Sequence, residues 1–232
     1  MKIAVMQPYL FPYIGYFQLI DSVDKFVLFD DVNYINKGWI NRNRILVNGN
    51  AFLFTVPLLG ASQNKLINEI ELEPGDKWRG KLLKTITGSY SKAPYYRDAL
   101  PIIEEIIFNA EKNLSVFLYH SIIRLTSYLG IKTEIVPSSS IYPNQELKGE
   151  DRILDICVRE TADTYVNPIG GTELYSKEKF SGKGINLFFV KTHEITYKQF
   201  DKPFVPWLSV IDLMMFCSKE ELAGALANRE LI

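Results

Sequence analysis

The stretch KIAVMQPYLFPYIGYFQLIDSVDKFVLFD, residues 2–30, decides the fold. It opens with a short apolar run, KIAVM, that is typical of a buried strand, and Pro8 ends this strand because proline cannot continue a sheet ladder. Apolar residues at helical spacing then predict a helix over 13–22, and KFVLFD (25–30) predicts a second strand. Strand, loop, helix and strand in succession make a βαβ unit, which implies a parallel sheet with a right-handed crossover.

The rest of the chain adds elements of the same class. A β-hairpin over 44–58 turns at Asn48-Gly49, a pair that accepts positive φ. Further helices are predicted over 77–90, 150–161 and from Ser209. Residues 98–129 are predicted to form two helices, with Pro101 in the first turn of the first and Gly130 as the C-cap of the second. Further strands are predicted within 133–141, 164–168 and 186–191. The predicted fold is therefore α/β: a mainly parallel sheet with flanking helices, with a Rossmann-like or nucleotidyltransferase-like core.

Length and composition indicate one ordinary globular domain. The chain has 232 residues, 47% of them hydrophobic and 23% charged, so residues 1–232 are expected to share one domain, with a looser C-terminal part that could form a subdomain from about 165. Two isolated cysteines, Cys157 and Cys217, fit a reducing compartment. The apolar N-terminal run is too short for a signal peptide or a membrane span. We expect a cytoplasmic protein.

Charge and metal-ligand content exclude some classes of partner. The 26 basic and 27 acidic residues give a net charge of −1, without the basic excess that nucleic-acid binding requires, so no nucleic acid is expected. The chain has two widely separated histidines and no cysteine pair, so no tightly bound metal is expected. The adjacent Asp30 and Asp31 could hold Mg²⁺, but neighbouring strand residues point to opposite faces. A small molecule is the expected partner.

The first candidate site is the aromatic loop QPYLFPYIGYF (7–17), which follows the first strand. Ligands of open α/β sheets bind outside the carboxyl ends of the strands. An aromatic plug over the core is the alternative, but a plug would not need the polarity of an amide and three phenols. We therefore expect Gln7, Tyr9, Tyr13 and Tyr16 to bind substrate, with Gly15 permitting close approach by a backbone or a ligand.

The second candidate site is DDVNYINKGWINRNR (30–44), the densest polar segment of the chain. Its carboxylates, amides, indole and guanidinium groups suit a substrate that carries phosphate, carboxylate or sugar hydroxyls. A solvated loop with capping aspartates is the alternative. The substrate-binding residues predicted here are Asp31, Asn33, Tyr34, Lys37, Trp39, Asn41 and Arg42, followed in the same segment by Asn43 and Arg44.

Two weaker candidates follow later strands. Ser139 and Ser140, within a serine run, could hold a phosphate through hydroxyl and amide groups or could form a plain turn. Gly170 and Gly171, with Tyr175 after them, suit a phosphate or a sugar, although the segment lacks the GxGxxG and Walker patterns.

Two residues are predicted to act as acid or base. His193 follows a predicted strand, whereas His120 lies mid-helix beside apolar residues and is expected to be structural. Asp30, at the end of the second strand, is the other candidate base. The predicted catalytic residues are Asp30 and His193.

Lined up in order, these segments resemble the WbqC-like protein family. The resemblance is carried by QPYLFPYIGYFQLI (7–20) and FVLFDDVNYINKGWINRNRI (26–45), and more weakly by Trp78, YSKAPYY (90–96), LGIKT (129–133), SSSI (138–141), DRILDIC (151–157), ADTYVNP (162–168) and FVPWLSVIDLMMF (204–216). The family often carries a histidine where this chain has Leu82. If that histidine were catalytic, this protein would be impaired or would use another base.

The resemblance implies a role in O-antigen or related polysaccharide synthesis. The implied activity is transfer of glycine or another aminoacyl group from an activated acyl donor to an amino sugar, free or nucleotide-linked. A second likeness favours an ATP-dependent, acid-activating nucleotidyltransferase, because Tyr13 and Tyr16 are similar in placement to the two histidines of a HIGH motif. A non-catalytic protein that binds sugar nucleotides is the third hypothesis. A homodimer is expected only because homodimers are common.

Overall fold

The computed structural model describes residues 1–232 and contains ten strands and eight helices. The strands are β1 (Lys2–Met6), β2 (Lys25–Leu28), β3 (Arg42–Val47), β4 (Asn50–Thr55), β5 (Leu58–Leu59), β6 (Glu71–Leu72), β7 (Glu134–Val136), β8 (Thr164–Pro168), β9 (Asn186–Thr192) and β10 (Arg229–Leu231). The helices are α1 (Ile14–Ile20), α2 (Lys77–Tyr90), α3 (Tyr96–Ile107), α4 (Leu114–Leu129), α5 (Gly149–Arg159), α6 (Lys177–Ser181), α7 (Val210–Phe216) and α8 (Lys219–Ala227). Three short 3₁₀ turns cover Ile67–Glu69, Ser139–Ile141 and Ile169–Leu174.

The main sheet has the order β10-β9-β8-β1-β2-β7, and only the β9–β10 pair is antiparallel. From β1 the chain builds outward through β2 to β7, and it then returns to the other side of β1 to add β8 and β9. Taken alone, the five parallel strands follow the 3-2-1-4-5 order of doubly wound folds. This order confirms the predicted parallel, Rossmann-like sheet. It also creates a topological switch point between β1 and β8, and the strands after residue 164 join the same sheet.

Helices cover both faces of the sheet, as a parallel sheet requires. Alternate residues of β1 point to opposite faces, so Ala4 enters the larger core cluster while Ile3 and Val5 enter the smaller one. The larger cluster takes residues from α1, α2, α3, α4, α7 and α8, and the smaller one from α5 and α6. The apolar strand sequences are therefore explained by burial on both sides.

Local sequence signals predicted several elements correctly. The hairpin of β3 and β4 turns at Asn48 (φ +53°) and Gly49 (φ +81°), and it begins two residues before the predicted start. Gly130 ends α4 in the left-handed conformation, with φ +79°. Helix α3 begins at Tyr96, so Pro101 lies beyond the first turn, and the prediction that placed it there is wrong.

Helix α8 and strand β10 were not predicted from the sequence. A capping box marks the start of α8, since Ser218 and Glu221 each accept a backbone N–H from the other residue. Strand β10 has three residues and depends on its pairing with β9, so no local hydrophobic pattern predicts it. No helix of the structure is long and apolar enough to cross a membrane.

Backbone hydrogen bonds join distant loops above the carboxyl ends of the strands. Leu10 N–H donates to the Ile40 carbonyl, which ties the loop after β1 to the loop after β2. Val210 N–H donates to the Pro12 carbonyl, and Ser209 N–H donates to the Arg44 carbonyl. The start of α7 is thereby fixed against both the first loop and the hairpin. These contacts form the floor and walls of the site described next.

Candidate functional site

A pocket of about 280 Å³ lies at the topological switch point. Met6 at the end of β1 and Pro168 at the end of β8 line it, so it opens outside the carboxyl ends of the two strands whose connections diverge. Five of its 11 lining residues are aromatic, namely Tyr9, Tyr13, Tyr16, Trp39 and Trp207. Asn43 and Arg44 of β3 add polar groups, and no acidic residue lines the pocket. We call it the switch-point pocket.

A second cavity of about 400 Å³ adjoins the first at the carboxyl end of β9. Thr192, His193 and Glu194 enter it from the end of that strand, and Tyr197, Phe204 and Leu213 complete most of its wall. We call it the histidine pocket. Its volume falls in the usual range of ligand sites, roughly 300–1,000 Å³, and the switch-point pocket lies just below that range.

Tyr13 and Trp207 form the partition between the two cavities, because both residues line both of them. Their ring centroids are 5.9 Å apart. Trp207 is 64% exposed and has φ +59°, a left-handed conformation that is unusual for a bulky side chain. Strain of this kind concentrates at functional sites. The tyrosine ring folds back over Gly15, where an added Cβ would lie 2.2 Å from its hydroxyl oxygen.

Of the other predicted residues of the first loop, Tyr9 and Tyr16 line the switch-point pocket, whereas Gln7 lines neither cavity. The Tyr16 hydroxyl donates to the Gln7 carbonyl at 3.0 Å, and the rings of Tyr9 and Tyr16 pack at 5.5 Å. Burial raises the pKa of all three tyrosines, Tyr9, Tyr13 and Tyr16, so each stays a neutral donor at physiological pH. The single proton of Tyr16 is already used, which leaves it no donor for the phosphate that the HIGH-like likeness would require.

The acidic pair at the end of β2 lies in a buried network outside both cavities. Asp30 accepts hydrogen bonds from the hydroxyls of Ser115 and Ser138 and from Ser139 N–H. Asp31 pairs with Arg152 and also accepts from the Ser139 hydroxyl, while Ser140 lies exposed beside Ser138. These contacts join β2, β7, α4 and α5. Asp30 is only 2% exposed and accepts from three donors, so the protein itself occupies this carboxylate and shields it from a ligand in either cavity.

The loop after β2 has buried and exposed members. Tyr34 is buried, and its hydroxyl donates to the Asn41 side chain, whose own amide donates to the Val56 carbonyl. Arg42 donates to the carbonyls of Gly38 and Lys37, so it holds the tip of the loop in place. Asn33 and Lys37 are exposed and line neither cavity. Of the substrate-binding residues predicted in this segment, Trp39 is the one that lines the switch-point pocket.

The glycine pair follows β8 directly, in the 3₁₀ turn Ile169–Leu174. Gly171 is required because an added Cβ would lie 2.2 Å from the Asn167 side-chain oxygen. That asparagine donates to the Tyr165 hydroxyl, and Tyr175 packs on the same ring in the smaller core cluster. Gly170 is exposed, lies two residues after Pro168 and lines neither cavity.

His193 is the one predicted catalytic residue that lines a cavity. It is exposed, and its backbone N–H is fixed by the Asn228 carbonyl. Across the histidine pocket, Tyr197 donates to Asp212, a fully buried carboxylate that also accepts from Tyr90 and Gln199. Burial raises the pKa of Asp212 despite these three donors. The network anchors the segment 195–207 that encloses this cavity.

Other nucleophiles and metal ligands do not converge on the cavities. Cys157 and Cys217 are free and buried, and burial raises the pKa of each thiol to about 12. Leu82 packs in the larger core cluster and lines neither cavity. No group of three or more histidine, cysteine, aspartate or glutamate side chains could hold a metal ion.

Sequence reasoning missed several residues that line the cavities. Trp207 lies in the segment FVPWLSVIDLMMF (204–216), which carries part of the family resemblance, but it was not among the predicted binding residues, and its positive φ cannot be seen in the sequence. Arg44 was counted in the polar segment but not among the predicted binding residues, although it lines the switch-point pocket and Arg42 does not. The sequence contained one signal for Arg44. It follows Arg42 by two residues on β3, so the two side chains point to the same face of the strand.

Comparison with known proteins gave one family and one relative. The family model described as the WbqC-like protein family matches residues 7–223. The uncharacterized protein Rv1507c of Mycobacterium tuberculosis is 28% identical over 216 residues, which is 92% of each chain. No solved structure matches the chain significantly. The matched region includes every residue that lines the two cavities except Met6.

Proposed function

Because this chain belongs to the WbqC-like protein family, we propose that it is an acyltransferase of surface polysaccharide synthesis. In this proposal it transfers glycine or a related aminoacyl group to the amino group of an amino sugar, either free or nucleotide-linked, as in O-antigen synthesis. The resemblance to the family suggests the substrate class, and the geometry of the site supports a reaction between two ligands.

The single observation that carries the proposal is the pair of adjoining cavities, which share Tyr13 and Trp207 as a partition. A transfer reaction needs two ligands held side by side, with their reacting atoms in contact and water excluded. Both cavities open at the carboxyl ends of neighbouring parallel strands, β1 and β8 for one and β9 for the other. A site for one small ligand would not require two compartments.

Aromatic walls suit the sugar part of such a substrate. The five aromatic residues of the switch-point pocket offer flat apolar faces against which a sugar ring or a nucleobase packs. The phenols of Tyr9 and Tyr13 can donate hydrogen bonds to sugar hydroxyls, since their raised pKa values keep them protonated. The histidine pocket would then receive the acyl donor.

His193 is the proposed general base. The neutral amine of the sugar attacks the acyl carbon of an activated donor, which is an ester, a thioester or an acyl phosphate. The new C–N bond forms as the bond from the carbonyl carbon to the leaving group breaks. The imidazole takes the amine proton and can return it to the leaving group. An exposed histidine beside the cavity can exchange that proton with solvent after each turnover.

The test is amide formation observed by mass spectrometry. The purified protein is incubated with a panel of amino sugars, free and linked to uridine or thymidine diphosphate, and with activated glycine donors of each class. We expect one acceptor to gain a glycyl group. His193→Asn should lower the rate by roughly 10²–10⁴-fold, the usual contribution of a general base, and the matched control His120→Asn on α4 should not. If no acceptor gains mass with any donor, the proposal fails.

An ATP-dependent, acid-activating nucleotidyltransferase is the second candidate, favoured by the 3-2-1-4-5 strand order. Exchange of labelled pyrophosphate into ATP that depends on an added amino acid would support it. If the protein binds sugar nucleotides without turnover or exchange, it is a non-catalytic binding protein.

The two free, buried cysteines support the proposed cytoplasmic location, and a homodimer stays a prediction.

A further inference from the structure

The guanidinium of Arg44 is a cation without a partner inside the switch-point pocket. Its Nε atom is buried and has no hydrogen-bond partner, and Arg44 takes part in none of the ion pairs of the structure. No acidic residue lines the pocket. A buried N–H donor without an acceptor is costly, and the positive charge beside it has no counter-charge in the pocket, so together they indicate a missing anionic acceptor.

The position of Arg44 is fixed by the fold. The backbone N–H of Arg44 donates to the side-chain oxygen of Asn43, and its carbonyl accepts from Ser209 N–H. Arg44 also lies opposite Leu53 in the β3–β4 hairpin. The guanidinium carbon lies 5.2 Å from the centre of the Trp39 ring. Stacking on an aromatic ring orients a guanidinium and leaves its edge free for two parallel hydrogen bonds.

Arg42, on the same strand, is an arginine whose hydrogen-bond donors already have partners in the protein. It also lies over Trp39, with its guanidinium carbon 5.8 Å from the ring centre, but its Nε donates to the Gly38 carbonyl and one terminal nitrogen to the Lys37 carbonyl. Its hydrogen bonds therefore serve the loop. Its positive charge still adds to that of Arg44, because both groups flank one indole. The pocket is thus positive in a protein whose net charge is −1.

From this geometry we infer that Arg44 binds an oxyanion of the substrate, held by the guanidinium edge next to a ring that packs on the aromatic wall. The shared chemistry is a pair of coplanar oxygens, which either a phosphate of a nucleotide-linked sugar or the carboxylate of an acidic sugar provides. The inference rests on the proposed function for its substrate class. It goes beyond that proposal by assigning a recognition residue and a charge to the ligand.

The test measures binding, not turnover, so the two proposals can fail separately. Uridine diphosphate, inorganic pyrophosphate, glucuronate and neutral glucose are titrated into the full chain by calorimetry, with tryptophan fluorescence as a second signal, since Trp39 and Trp207 line the pocket. We expect Arg44→Gln to raise Kd for the anionic probe by roughly 10- to 150-fold, the factor for about 1.5–3 kcal/mol of charge-assisted hydrogen bonding. Glucose should bind equally to both proteins or to neither.

Controls separate recognition from general charge and from stability. Arg97→Gln removes one positive charge from an exposed position on α3 and should leave Kd unchanged. Arg44→Lys keeps the charge but loses the planar pair of donors, so its Kd should be intermediate. The Tm of the ligand-free Arg44→Gln protein should equal or exceed that of the wild type, because an unpaired cation is removed.

The outcomes are distinct. Binding of uridine diphosphate or pyrophosphate that depends on Arg44 supports a phosphate ligand, and Arg44-dependent binding of glucuronate alone supports an acidic sugar. Binding without any acyl transfer would uphold the inference while the proposed function fails. Equal Kd values for wild type and Arg44→Gln, no binding of any anion, or a large loss of Tm in Arg44→Gln would overturn the inference.

Discussion

Removal of the buried Asp212 carboxylate should cost this protein a large part of its stability. The carboxylate is fully buried and accepts from Tyr197 at 2.6 Å, Gln199 at 2.6 Å and Tyr90 at 2.7 Å. Asp212→Ala leaves three donors without their acceptor. A buried donor without a partner costs about 1–3 kcal/mol, and the three donors left here are neutral groups. We expect a loss of about 4 kcal/mol in the free energy of unfolding.

The assay is urea unfolding at neutral pH, followed by circular dichroism. A loss of about 4 kcal/mol would leave a domain of ordinary stability folded, since such domains unfold with about 5–15 kcal/mol. Asp212→Asn, which keeps the shape and one acceptor oxygen, should lose less. The matched control is Asp201→Ala, because the Asp201 side chain is 96% exposed and its change should stay within about 0.5 kcal/mol. A loss below about 1 kcal/mol in Asp212→Ala would refute the reasoning.

The contribution of the Asp212 carboxylate to stability should change with pH in a definite direction. Burial raises the pKa of Asp212 above its ordinary value of 3.8, so the folded protein binds this proton more tightly than the unfolded chain. The contribution of this group to stability therefore falls as pH rises from about 3.8 to the raised pKa, and it is constant above that range. Asp212→Asn lacks the titration. Its stability relative to wild type should thus improve across that window, and a difference that is flat with pH would contradict this account.

Two further predictions concern the partition and the Lys25–Glu160 ion pair. Gly15→Ala should push the Tyr13 ring away from Trp207 and change tryptophan fluorescence while Tm stays near the wild-type value, because alanine favours the helix and the displaced ring is flexible. In Glu160, burial favours a higher pKa, but hydrogen bonds from Lys25 and Tyr142 outweigh it and hold the pKa below 4.5. Glu160→Gln should therefore destabilise at neutral pH, by an amount that shrinks as pH falls below about 4.5 in urea-unfolding series.

Local patterns account for most of the confirmed fold. The short apolar runs of β1 and β2 lie on either side of a short helix whose apolar residues recur at helical spacing. The Asn48-Gly49 turn and the Gly130 cap are set by backbone conformations that few residues adopt. Such signals act over a few residues, so the sequence shows them directly. The three-residue β10 carries no such signal, because it forms only where β9 offers an edge.

The site was predicted in part. That the first loop lies at a strand end followed from the βαβ unit, and Tyr9, Tyr13, Tyr16 and Trp39 do line the switch-point pocket. The burial of Asp30 could not be read from the chain, because its partner Ser115 is 85 residues away and Ser138 is 108 residues away. A polar residue at a strand end therefore predicts an edge of the sheet, but it does not say whether other chain segments cover that edge.

By itself, the sequence determined a parallel α/β sheet, a family and an aromatic loop after the first strand, since each of these depends on neighbouring residues or on motif order. Only the tertiary structure decided which side chains share a cavity. Tyr13 meets Trp207 and Arg44 reaches the pocket because α7 is hydrogen-bonded to Pro12 and Arg44 across nearly the whole chain. The physical reason is that hydrogen bonds and packing between distant segments fix where a side chain points, and no local pattern encodes them.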